Sequence, residues 1–398
     1  MRYHARWVLP ITQPPIENGT VVETDGKITY VGPRTGAPAG KDDDLGDTIL
    51  LPGLVNTHTH LELTAMRGFL EDLDFADWID KLRQSRNEIL DDAKLLDSAK
   101  FGIIEGVEAG ITTYADTCSS GVVMQAMVAL GVRGIMYQEV FAPDPSKCDA
   151  AVRELEERLG SLEPEQTDLV QLGVSPHAPY TVSDPLYAAT GQLARKRNLP
   201  LAMHIAESAA EEDLVVRGEG AFAERWRRRG IEVSKRARSP IALLEKHEVL
   251  EPGSLLIHCV RVDDADITTI ARRGCSVAHC PASNAKFGHG VAPLLPMLAA
   301  GIPVGIGSDS GRHAPPRCIR CASSPRTRHH RRCARPRARR PHRISRSWEG
   351  RRSRRVPHRH RAHYTRRRSL LGGDLRASGP ICRAGDGARQ SPRGTRQV

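Results

Sequence analysis

Histidines and carboxylates recur where short apolar runs of this chain end. His58 and His60 close an apolar run that begins at Leu51. Residues two apart in a strand point the same way, so these two imidazoles can bind one metal ion. Later apolar runs end in further ionisable residues, namely His204, Glu207, His258 and Asp309. Buried ionisable groups are costly without partners, and a shared metal ion would supply that partner.

Eight short apolar runs, separated by helical stretches, must position these residues. The predicted strands are Leu51–His60, Thr112–Cys118, Gly134–Phe141, Leu169–His177, Leu201–Glu207, Leu255–Val260, Ser276–Cys280 and Pro303–Asp309. This alternation favours a (β/α)8 barrel over an open doubly wound sheet, which usually carries a glycine-rich phosphate loop after its first strand. The sequence contains no such loop. Barrel active sites lie at the carboxyl ends of strands, where the ionisable residues are.

The chain before the first of these strands has a different pattern. Residues 19–24 and 27–32 alternate apolar and polar residues around Asp25-Gly26, which predicts a β-hairpin within a small β unit. The clearest helix is predicted over Asp92–Ala109. Its apolar face is expected to consist of Leu96, Ala99, Ile103 and Val107.

The net charge of +11 comes from the end of the chain. Residues 311–398 contain 27 Arg, no Lys and three acidic residues, a net charge of +24, whereas residues 1–310 carry −13. The acidic body gives no electrostatic reason to bind nucleic acid. Nine cysteines in a long chain without a signal peptide predict reduced, mostly buried thiols, and no apolar stretch is long enough to span a bilayer. A cytoplasmic location is expected.

Two interpretations compete for the tail of 311–398. One is a disordered arginine-rich arm that binds RNA or a membrane. The other is a reading-frame change in a GC-rich gene, which yields this excess of Arg, Pro, Ala, Gly and Ser. The absence of Lys favours the frame change, because a selected polycationic arm has no reason to avoid lysine. In either case the segment lacks the apolar surface to offset its ordering entropy and is expected to be disordered.

The motifs at the strand ends resemble those of the amidohydrolase superfamily. They are Leu51-Pro52-Gly53-Leu54-Val55-Asn56-Thr57-His58-Thr59-His60, Met203-His204-Ile205-Ala206-Glu207, Ile257-His258-Cys259, His279-Cys280-Pro281-Ala282-Ser283-Asn284 and Gly305-Ile306-Gly307-Ser308-Asp309. Within it the chain is similar to the hydrolytic deaminase and chlorohydrolase branch, which includes the S-adenosylhomocysteine, methylthioadenosine, aminofutalosine and guanine deaminases.

This resemblance implies an α/β fold with two parts. Residues 51–310 would form a (β/α)8 metal-dependent hydrolase barrel, and residues 1–50 would begin a small composite β-sandwich. In the family the chain after the eighth strand adds a last helix and returns to complete the sandwich. Here that return is missing, so the carboxyl-terminal part is interpreted as disrupted, with 311–398 as the frame-shifted tail.

The resemblance also implies the roles of the site residues. One divalent metal ion, zinc or iron, would be held by His58, His60, His204 and Asp309. Catalysis would be carried by Glu207 as general acid and base, by His258, which orients the attacking water, and by Asp309, which accepts its proton.

Two further residues are expected to bind substrate. His177 matches a substrate-contacting position of the family, and Trp78 lies where relatives place a helix over the ribose or side-chain pocket. Trp78 would either stack on the ring of the substrate or belong to the helix core. The acidic residue that holds ribose hydroxyls in the adenosylhomocysteine group has no clear counterpart, since Asn87 and Glu88 fall near its place.

The expected function is hydrolytic deamination of an adenine-type nucleoside or a related heterocycle, an aminohydrolase reaction on a cyclic amidine. One alternative is a triazine-type chlorohydrolase or another cyclic-amidine hydrolase. An alternative of another class is an RNA-binding protein with an arginine-rich tail. The expected partner is a small heterocyclic substrate, with neither membrane nor nucleic acid, and a homo-oligomer is left open.

Overall fold

The computed structural model describes residues 1–70 and 73–310. By its contacts the chain divides into two compact units; one contains Met1–Pro52 and the other begins at Gly53. The predicted tail of 311–398 lies outside the described residues. The division into segments 1–50, 51–310 and 311–398 therefore stays a prediction.

A five-stranded sheet forms the described part of the first unit. Its strands are β1 (Arg2–Val8), β2 (Ile16–Thr24), β3 (Lys27–Pro33), β4 (Asp42–Asp44) and β5 (Ile49–Leu50). The order is β3-β2-β1-β4, and β5 pairs with β1. The predicted hairpin is confirmed, because β2 and β3 are antiparallel and the turn has φ of 50° at Asp25 and 77° at Gly26. Positive φ at both central residues is what a type I′ turn requires.

All eight predicted strands are present in the second unit. They are β6 (Leu54–Thr59), β7 (Ile111–Cys118), β8 (Arg133–Val140), β9 (Val170–Pro176), β10 (Ala202–Ile205), β11 (Leu255–His258), β12 (Ser276–His279) and β13 (Val304–Ile306). They form two parallel four-stranded sheets, β6-β7-β8-β9 and β10-β11-β12-β13. Single bridges connect the sheets, one between Val174 and Leu201 and one between Thr59 and Asp309.

Helices separate most of these strands. They are α1 (Phe75–Ile89), α2 (Asp92–Glu108), α3 (Val122–Leu130), α4 (Cys148–Leu162), α5 (Asp184–Arg197), α6 (Ala209–Arg217), α7 (Gly220–Arg228), α8 (Pro240–Lys246), α9 (Asp264–Arg272), α10 (Pro281–Lys286) and α11 (Leu294–Ala299). A short 3-10 helix, Leu61–Met66, follows β6. Parallel strands alternating with helices make this an α/β fold of the TIM-barrel type.

Side-chain alternation along the strands creates two apolar layers. On β8, Met136 packs into the main core with helix residues such as Met124 and Leu155. Its neighbour Tyr137 points to the other face and packs with residues of both sheets, including Ala202 and Ile257. Successive residues of a strand point to opposite faces, so β8 contributes to both layers.

Helix α2 begins and ends close to the predicted bounds. Its N-cap residue Asp91 accepts a hydrogen bond from the Lys94 amide at 2.9 Å. The buried face is centred on Leu95, Ala99 and Ile103, whereas Leu96, which was expected on that face, is only partly buried. The predicted face was therefore displaced by about one residue.

Two other expectations concern the chain as a whole. Five described cysteines, Cys118, Cys148, Cys259, Cys275 and Cys280, are free and buried, as predicted. Among residues 1–70 and 73–310, none of the helices is both long and apolar enough to cross a bilayer.

Candidate active site

The structure brings the predicted ionisable residues together at the carboxyl ends of five strands. These residues are His58 and His60 at β6, His177 after β9, His204 and Glu207 at β10, His258 at β11 and Asp309 after β13. The ring centroids of His58 lie 4.8 Å from those of both His60 and His204. Parallel strands that end at one edge explain how residues 250 positions apart become neighbours.

Two imidazoles face each other through their Nε2 atoms. Nδ1 of His60 lies 3.0 Å from the Thr117 carbonyl oxygen, and Nδ1 of His204 lies 3.2 Å from the His177 carbonyl oxygen. A carbonyl oxygen only accepts, so each Nδ1 must donate, and Nε2 is the nitrogen with which each ring can bind a cation. The two Nε2 atoms are 3.3 Å apart, close enough to bind the same ion.

His58 and Asp309 complete this cluster. Nε2 of His58 and Nε2 of His60 each lie 3.4 Å from Oδ1 of Asp309. Neither ring nitrogen of the buried His58 has a hydrogen-bond partner within the described residues. Burial lowers the pKa of His58 to about 4, which keeps the ring neutral and able to ligate. Burial alone would raise the pKa of Asp309, but His58, 3.4 Å away, and the other nearby imidazoles lower it well below its usual value.

Asn56 holds the loop that carries Asp309. Its side-chain amide donates to Oγ of Ser308 at 2.8 Å, and its carbonyl oxygen accepts from the Ser308 amide at 3.0 Å. The amide of Asp309 donates to the His58 carbonyl oxygen at 3.0 Å. The start and the end of the described second unit are thus tied together beside the ligand cluster.

Strained backbone marks the ends of three strands at this site. Ala206, His258, Cys259 and Asp309 have φ of 52°, 77°, 45° and 57°. Residues other than glycine adopt this region rarely, and such strain persists only where surrounding structure enforces it. Here it turns side chains at the strand ends toward one point.

Glu207 lies beside two imidazoles. Its Oε1 is 3.4 Å from Nε2 of His258 and 3.3 Å from Nε2 of His289. Nδ1 of His258 lies 3.0 Å from Oδ1 of Asn284, which fixes the ring. The carboxylate is almost fully buried, so a proton that it holds or releases is shielded from bulk water.

A second buried carboxylate shapes the turn that carries Glu207. Glu211 accepts from the amides of Ala206 at 2.7 Å and of Glu207 at 2.9 Å. Burial raises the pKa of Glu211 to about 8. Because both of its oxygens are used in these bonds, Glu211 positions the backbone of Glu207.

His177 and Glu139 lie on the other side of the cluster. Nε2 of His177 is 4.0 Å from Oε1 of Glu139. Burial, followed by the neighbouring imidazoles, lowers the pKa of His177 to about 3. Burial, followed by the charge of Glu62, raises the pKa of Glu139 to about 8.

Glu62 is buried but fully partnered. It accepts from the hydroxyls of Ser119, at 3.0 Å, and Ser120, and from the thiol of Cys118 at 3.1 Å. Arg86 on α1 lies 3.5 Å away. Burial would raise the pKa of Glu62, but the Arg86 charge and these hydrogen bonds lower it below its usual value. Glu62 therefore links α1 to the loop after β7.

One pocket of about 540 Å³ is lined by eight of these residues, namely His60, Glu62, Glu139, His177, His204, Glu207, His258 and Asp309. Trp78 on α1 lines it too, is buried, and packs edge-on against Phe287 with ring centroids 4.9 Å apart. Phe75 and Ile79 on the same helix pack into a separate apolar cluster with Tyr180 and other residues. Trp78 thus lines the pocket and is also packed against Phe287.

Sequence reasoning missed Glu139 and His289. Glu139 ends a predicted strand, so the rule that located the other site residues also applied to it. His289 lies in the loop between α10 and α11, where no periodic pattern points to a site.

The donor set fits a divalent cation. Three imidazoles and one carboxylate surround one point, and His58, His60 and His204 can offer ligand atoms that lie within 4.8 Å of one another. Backbone carbonyls orient two of the rings through Nδ1, as is usual for metal-bound histidines. Nitrogen and oxygen donors in this ratio suit zinc or iron.

Comparisons with known proteins agree with this geometry. The chain is 32% identical over 310 residues to 5-methylthioadenosine/S-adenosylhomocysteine deaminase of Moorella thermoacetica, covering 76% of this chain and 68% of that protein. It spans about two thirds of the length of the curated relatives that it matches, with shares from 64% to 68% among the first five.

Solved structures share the fold at lower identity. Helicobacter pylori aminofutalosine deaminase superposes with a TM-score of 0.70 at 18% identity, covering 78% of each chain. Atrazine chlorohydrolase from Arthrobacter aurescens, crystallised with zinc, superposes with a TM-score of 0.64 at 23% identity, covering 77% of this chain and 71% of that one.

A family model decides the assignment. The model described as the amidohydrolase family matches residues 49–339, which include every strand and ligand of the site. The chain therefore belongs to the amidohydrolase family.

Proposed function

We propose that the protein is a metal-dependent hydrolase that deaminates an adenine-type nucleoside or a related heterocycle. The observation that carries this proposal is a buried carboxylate, Glu207, 3.4 Å from His258, beside a donor set for one cation and within a pocket of about 540 Å³. Hydrolysis of a ring amidine needs an activated water molecule and a proton donor to the ring, and the site provides for both.

One divalent ion, zinc or iron, would be held by His58, His60, His204 and Asp309. When bound, such an ion is a Lewis acid that lowers the pKa of a water molecule toward neutrality. Zinc in the crystals of the Arthrobacter chlorohydrolase supports this choice.

Glu207 would move the protons of the reaction. As water adds to the amidine carbon, Glu207 gives a proton to the adjacent ring nitrogen, and a carbon–oxygen bond forms. Glu207 then takes the proton of the added hydroxyl group, the amino group takes the proton that Asp309 accepted from the water, and ammonia leaves as the carbon–nitrogen bond breaks. Burial of Glu207 and its contacts with His258 and His289 hold the carboxylate in one orientation.

Asp309 and His258 would act on the attacking water. The low pKa of Asp309 keeps it ionised, and its Oδ2 lies 3.8 Å from Nε2 of His258. Asp309 accepts the proton of the water while His258 orients the water by hydrogen bonding. His177 and Trp78 would contact the substrate, since both line the pocket.

The same proposal includes a closed barrel and a composite second domain. The bridges Val174–Leu201 and Thr59–Asp309, which connect the two sheets, support closure. The sheet of residues 1–52 would be the first part of a β-sandwich. The partner is a small heterocycle, and the expected location is the cytoplasm.

Ammonia release across nucleosides, free bases and pterins, with metal analysis of the same preparation, tests the proposal. Glu207→Gln is expected to lower kcat by about 100-fold to 10,000-fold, the usual contribution of a positioned acid or base. The matched control is Glu212→Gln, a carboxylate that pairs with Arg261 at the surface and should retain turnover.

Three results would reject the assignment. They are full turnover of Glu207→Gln, absence of bound metal in active protein, and release of chloride from a triazine without ammonia from any amine substrate. The last result would favour the chlorohydrolase alternative. Salt-sensitive RNA binding that disappears when residues 311–398 are deleted, in a protein without metal, would favour the RNA-binding alternative.

A further inference from the structure

One wall of the pocket is formed by a loop. This wall loop, residues 177–183, connects β9 to α5, and its residues Tyr180 and Thr181 line the pocket. The ring of Tyr180 stacks on Phe222 of α7, with centroids 4.2 Å apart and planes inclined by 7°. The shape of this side of the pocket therefore depends on the conformation of the wall loop.

Three carbonyl oxygens of the wall loop accept hydrogen bonds from outside the loop. Those of Pro179 and Val182 accept from the two Nη atoms of Arg236, the second at 2.9 Å. That of Tyr180 accepts from Nε1 of Trp226 at 2.9 Å. Side chains of the loop are buried here, and a buried carbonyl oxygen without a partner costs free energy. The wall loop thus depends on donors that other elements supply.

Arg236 lies in the connection between α7 and α8 and is itself held in place. Its amide donates to the Val215 carbonyl oxygen at 2.9 Å. Its Nε donates to Oδ1 of Asp184 at 2.6 Å, and its guanidinium lies 5.2 Å from the centre of the Trp226 ring. The side chain is 6% exposed. Arg236 is not among the described residues that line the pocket, so its effect on a ligand must pass through the loop.

The arrangement of these acceptors suits a guanidinium and not an ammonium. The three nitrogens of Arg236 lie in one plane and donate in three directions, to Asp184, Pro179 and Val182. A lysine carries the same charge on a single nitrogen, so it can pair with Asp184 but does not reproduce the planar fork that holds two carbonyls. The arginine is therefore required here for its geometry as well as for its charge.

We propose that Arg236 is a positioning residue for substrate binding, which holds the wall loop in the conformation that places Tyr180 and Thr181 against the substrate. This inference rests on the proposed function, because the substrate is taken to occupy this pocket. When a binding site adopts its competent conformation only part of the time, the apparent affinity falls by that fraction. By fixing the loop in advance, Arg236 removes this cost.

Adenosine binding tests the role of Arg236. Dissociation constants are measured on the full chain carrying Glu207→Gln, with and without Arg236→Lys. We expect Arg236→Lys to weaken binding about tenfold, since the loop then adopts its binding conformation about a tenth of the time. With Glu207 intact, the same substitution should raise KM with little change in kcat or metal content, because bound substrate keeps the loop in place.

Hydrogen exchange examines the wall loop without a ligand. The amides of Thr181 and Ser183 donate to the carbonyl oxygens of Ala178 and Ala142, both at 2.9 Å, and should be protected in the parent chain. Arg236→Lys should speed their exchange about tenfold while β8 and β10 keep their rates, because the loop opens locally. A residue needed only for global stability would instead lower Tm and speed exchange throughout the second unit.

Two matched variants make the result specific. Arg238→Lys changes an arginine of the same connection whose guanidinium pairs with two aspartates at the start of α9. It should leave both adenosine binding and exchange of the wall loop unchanged. Trp226→Phe removes the donor to the Tyr180 carbonyl and keeps an aromatic ring beside the guanidinium, so its effects should be smaller and in the same direction. If Arg236→Lys does not fold, Trp226→Phe decides by the same measurements.

Three results overturn the inference. They are unchanged exchange of the wall loop in folded Arg236→Lys, unchanged adenosine affinity in a variant whose loop has loosened, and faster exchange spread evenly over the second unit. Ammonia release by the parent chain is scored separately. A chain that neither binds adenosine nor releases ammonia from any amine, yet loosens its wall loop on Arg236→Lys, would reject the proposed function and retain the hold of Arg236 on the loop.

Discussion

His289 is the side chain nearest to Glu207 that the sequence motifs did not indicate. Its Nε2 lies 3.3 Å from Oε1 of Glu207, while its ring packs between Phe75 and Phe287 with centroids 4.6 and 5.5 Å away. Its amide donates to the Asn284 carbonyl oxygen at 2.9 Å. The loop thus fixes an imidazole against the carboxylate proposed to move protons, so we expect His289 to be a positioning residue.

We expect His289→Asn to lower kcat with little change in KM. The carboxylate loses the contact that orients it, and a small misplacement of a reacting group costs on the order of tenfold to a hundredfold in rate. Steady-state kinetics with metal analysis measure this. His247→Asn, which removes an imidazole 2.8 Å from Asp184 at the start of α5, serves as the control and should leave kcat unchanged. A rise in KM alone for His289→Asn would contradict the role.

At the level of elements, the site depends on how the first and last described strands of the second unit are joined. β6 supplies His58 and His60, and Asp309, the fourth proposed ligand, follows β13. Asn56 connects them through two hydrogen bonds to Ser308. Residues that orient metal ligands in this way are part of the metal site in energetic terms.

Asn56→Ala is expected to weaken metal binding by about 10- to 100-fold, the usual effect of losing an orienting partner. Ser308→Ala removes only the hydroxyl and keeps the amide bond to Asn56, so its effect should be smaller. Retention of metal against a competing chelator measures both. An Asn56→Ala protein that holds its metal as tightly as the parent would show that the hydrogen bonds between Asn56 and Ser308 do not position Asp309.

Most of the elements, and the cluster of ionisable residues at their ends, could be predicted from the sequence. The apolar runs predicted the eight strands. Because His58 and His204 come at the carboxyl ends of two of these strands, the sequence also predicted at which end of the sheet they lie. The turn of Asp25-Gly26 was equally clear, because its chemistry is local. The left-handed backbone of Ala206 and Cys259 could not be predicted, since tertiary contacts enforce it against local preference.

Other features were out of reach for different reasons. The buried face of α2 was displaced toward Leu95 because the apolar residues of that helix extend around more than one stripe. His289 was missed because its position depends on how a loop folds. The proximity of Glu139 and His177 depends on the register between the neighbouring strands β8 and β9. The sequence of one strand alone does not determine that register.

At the scale of the whole molecule, large apolar side chains lie exposed on two helices of the second unit. On α2, Phe101 and Ile104 are 53% and 46% exposed; on α11, Leu295 and Leu298 are 77% and 50% exposed. Helix α2 follows β6 and α11 precedes β13, and these two strands meet at the Thr59–Asp309 bridge. We expect another element to cover these apolar side chains.

We expect a chain with an ordinary reading frame after residue 310 to be more soluble and to unfold at a higher Tm than the sequence as written. A helix encoded there would cover the exposed faces of α2 and α11, at about 25 cal/mol for each Å² of apolar surface removed from water. Thermal unfolding and turnover of the two chains, expressed side by side, measure this. Equal solubility, Tm and turnover would contradict it, as would the lack of an ordinary helix and strands in both other frames of the gene.

The bridge between Thr59 and Asp309 also determines when, during translation, the proposed cation site can be completed. Of the four proposed ligands, two are made early, the third near the middle of the barrel, and the fourth only when the last described strand has left the ribosome. Until then, a nascent chain can offer the ion only an incomplete set of donors. Full occupancy of the centre would report that the protein has been translated through residue 309 and has brought its first and last strands together.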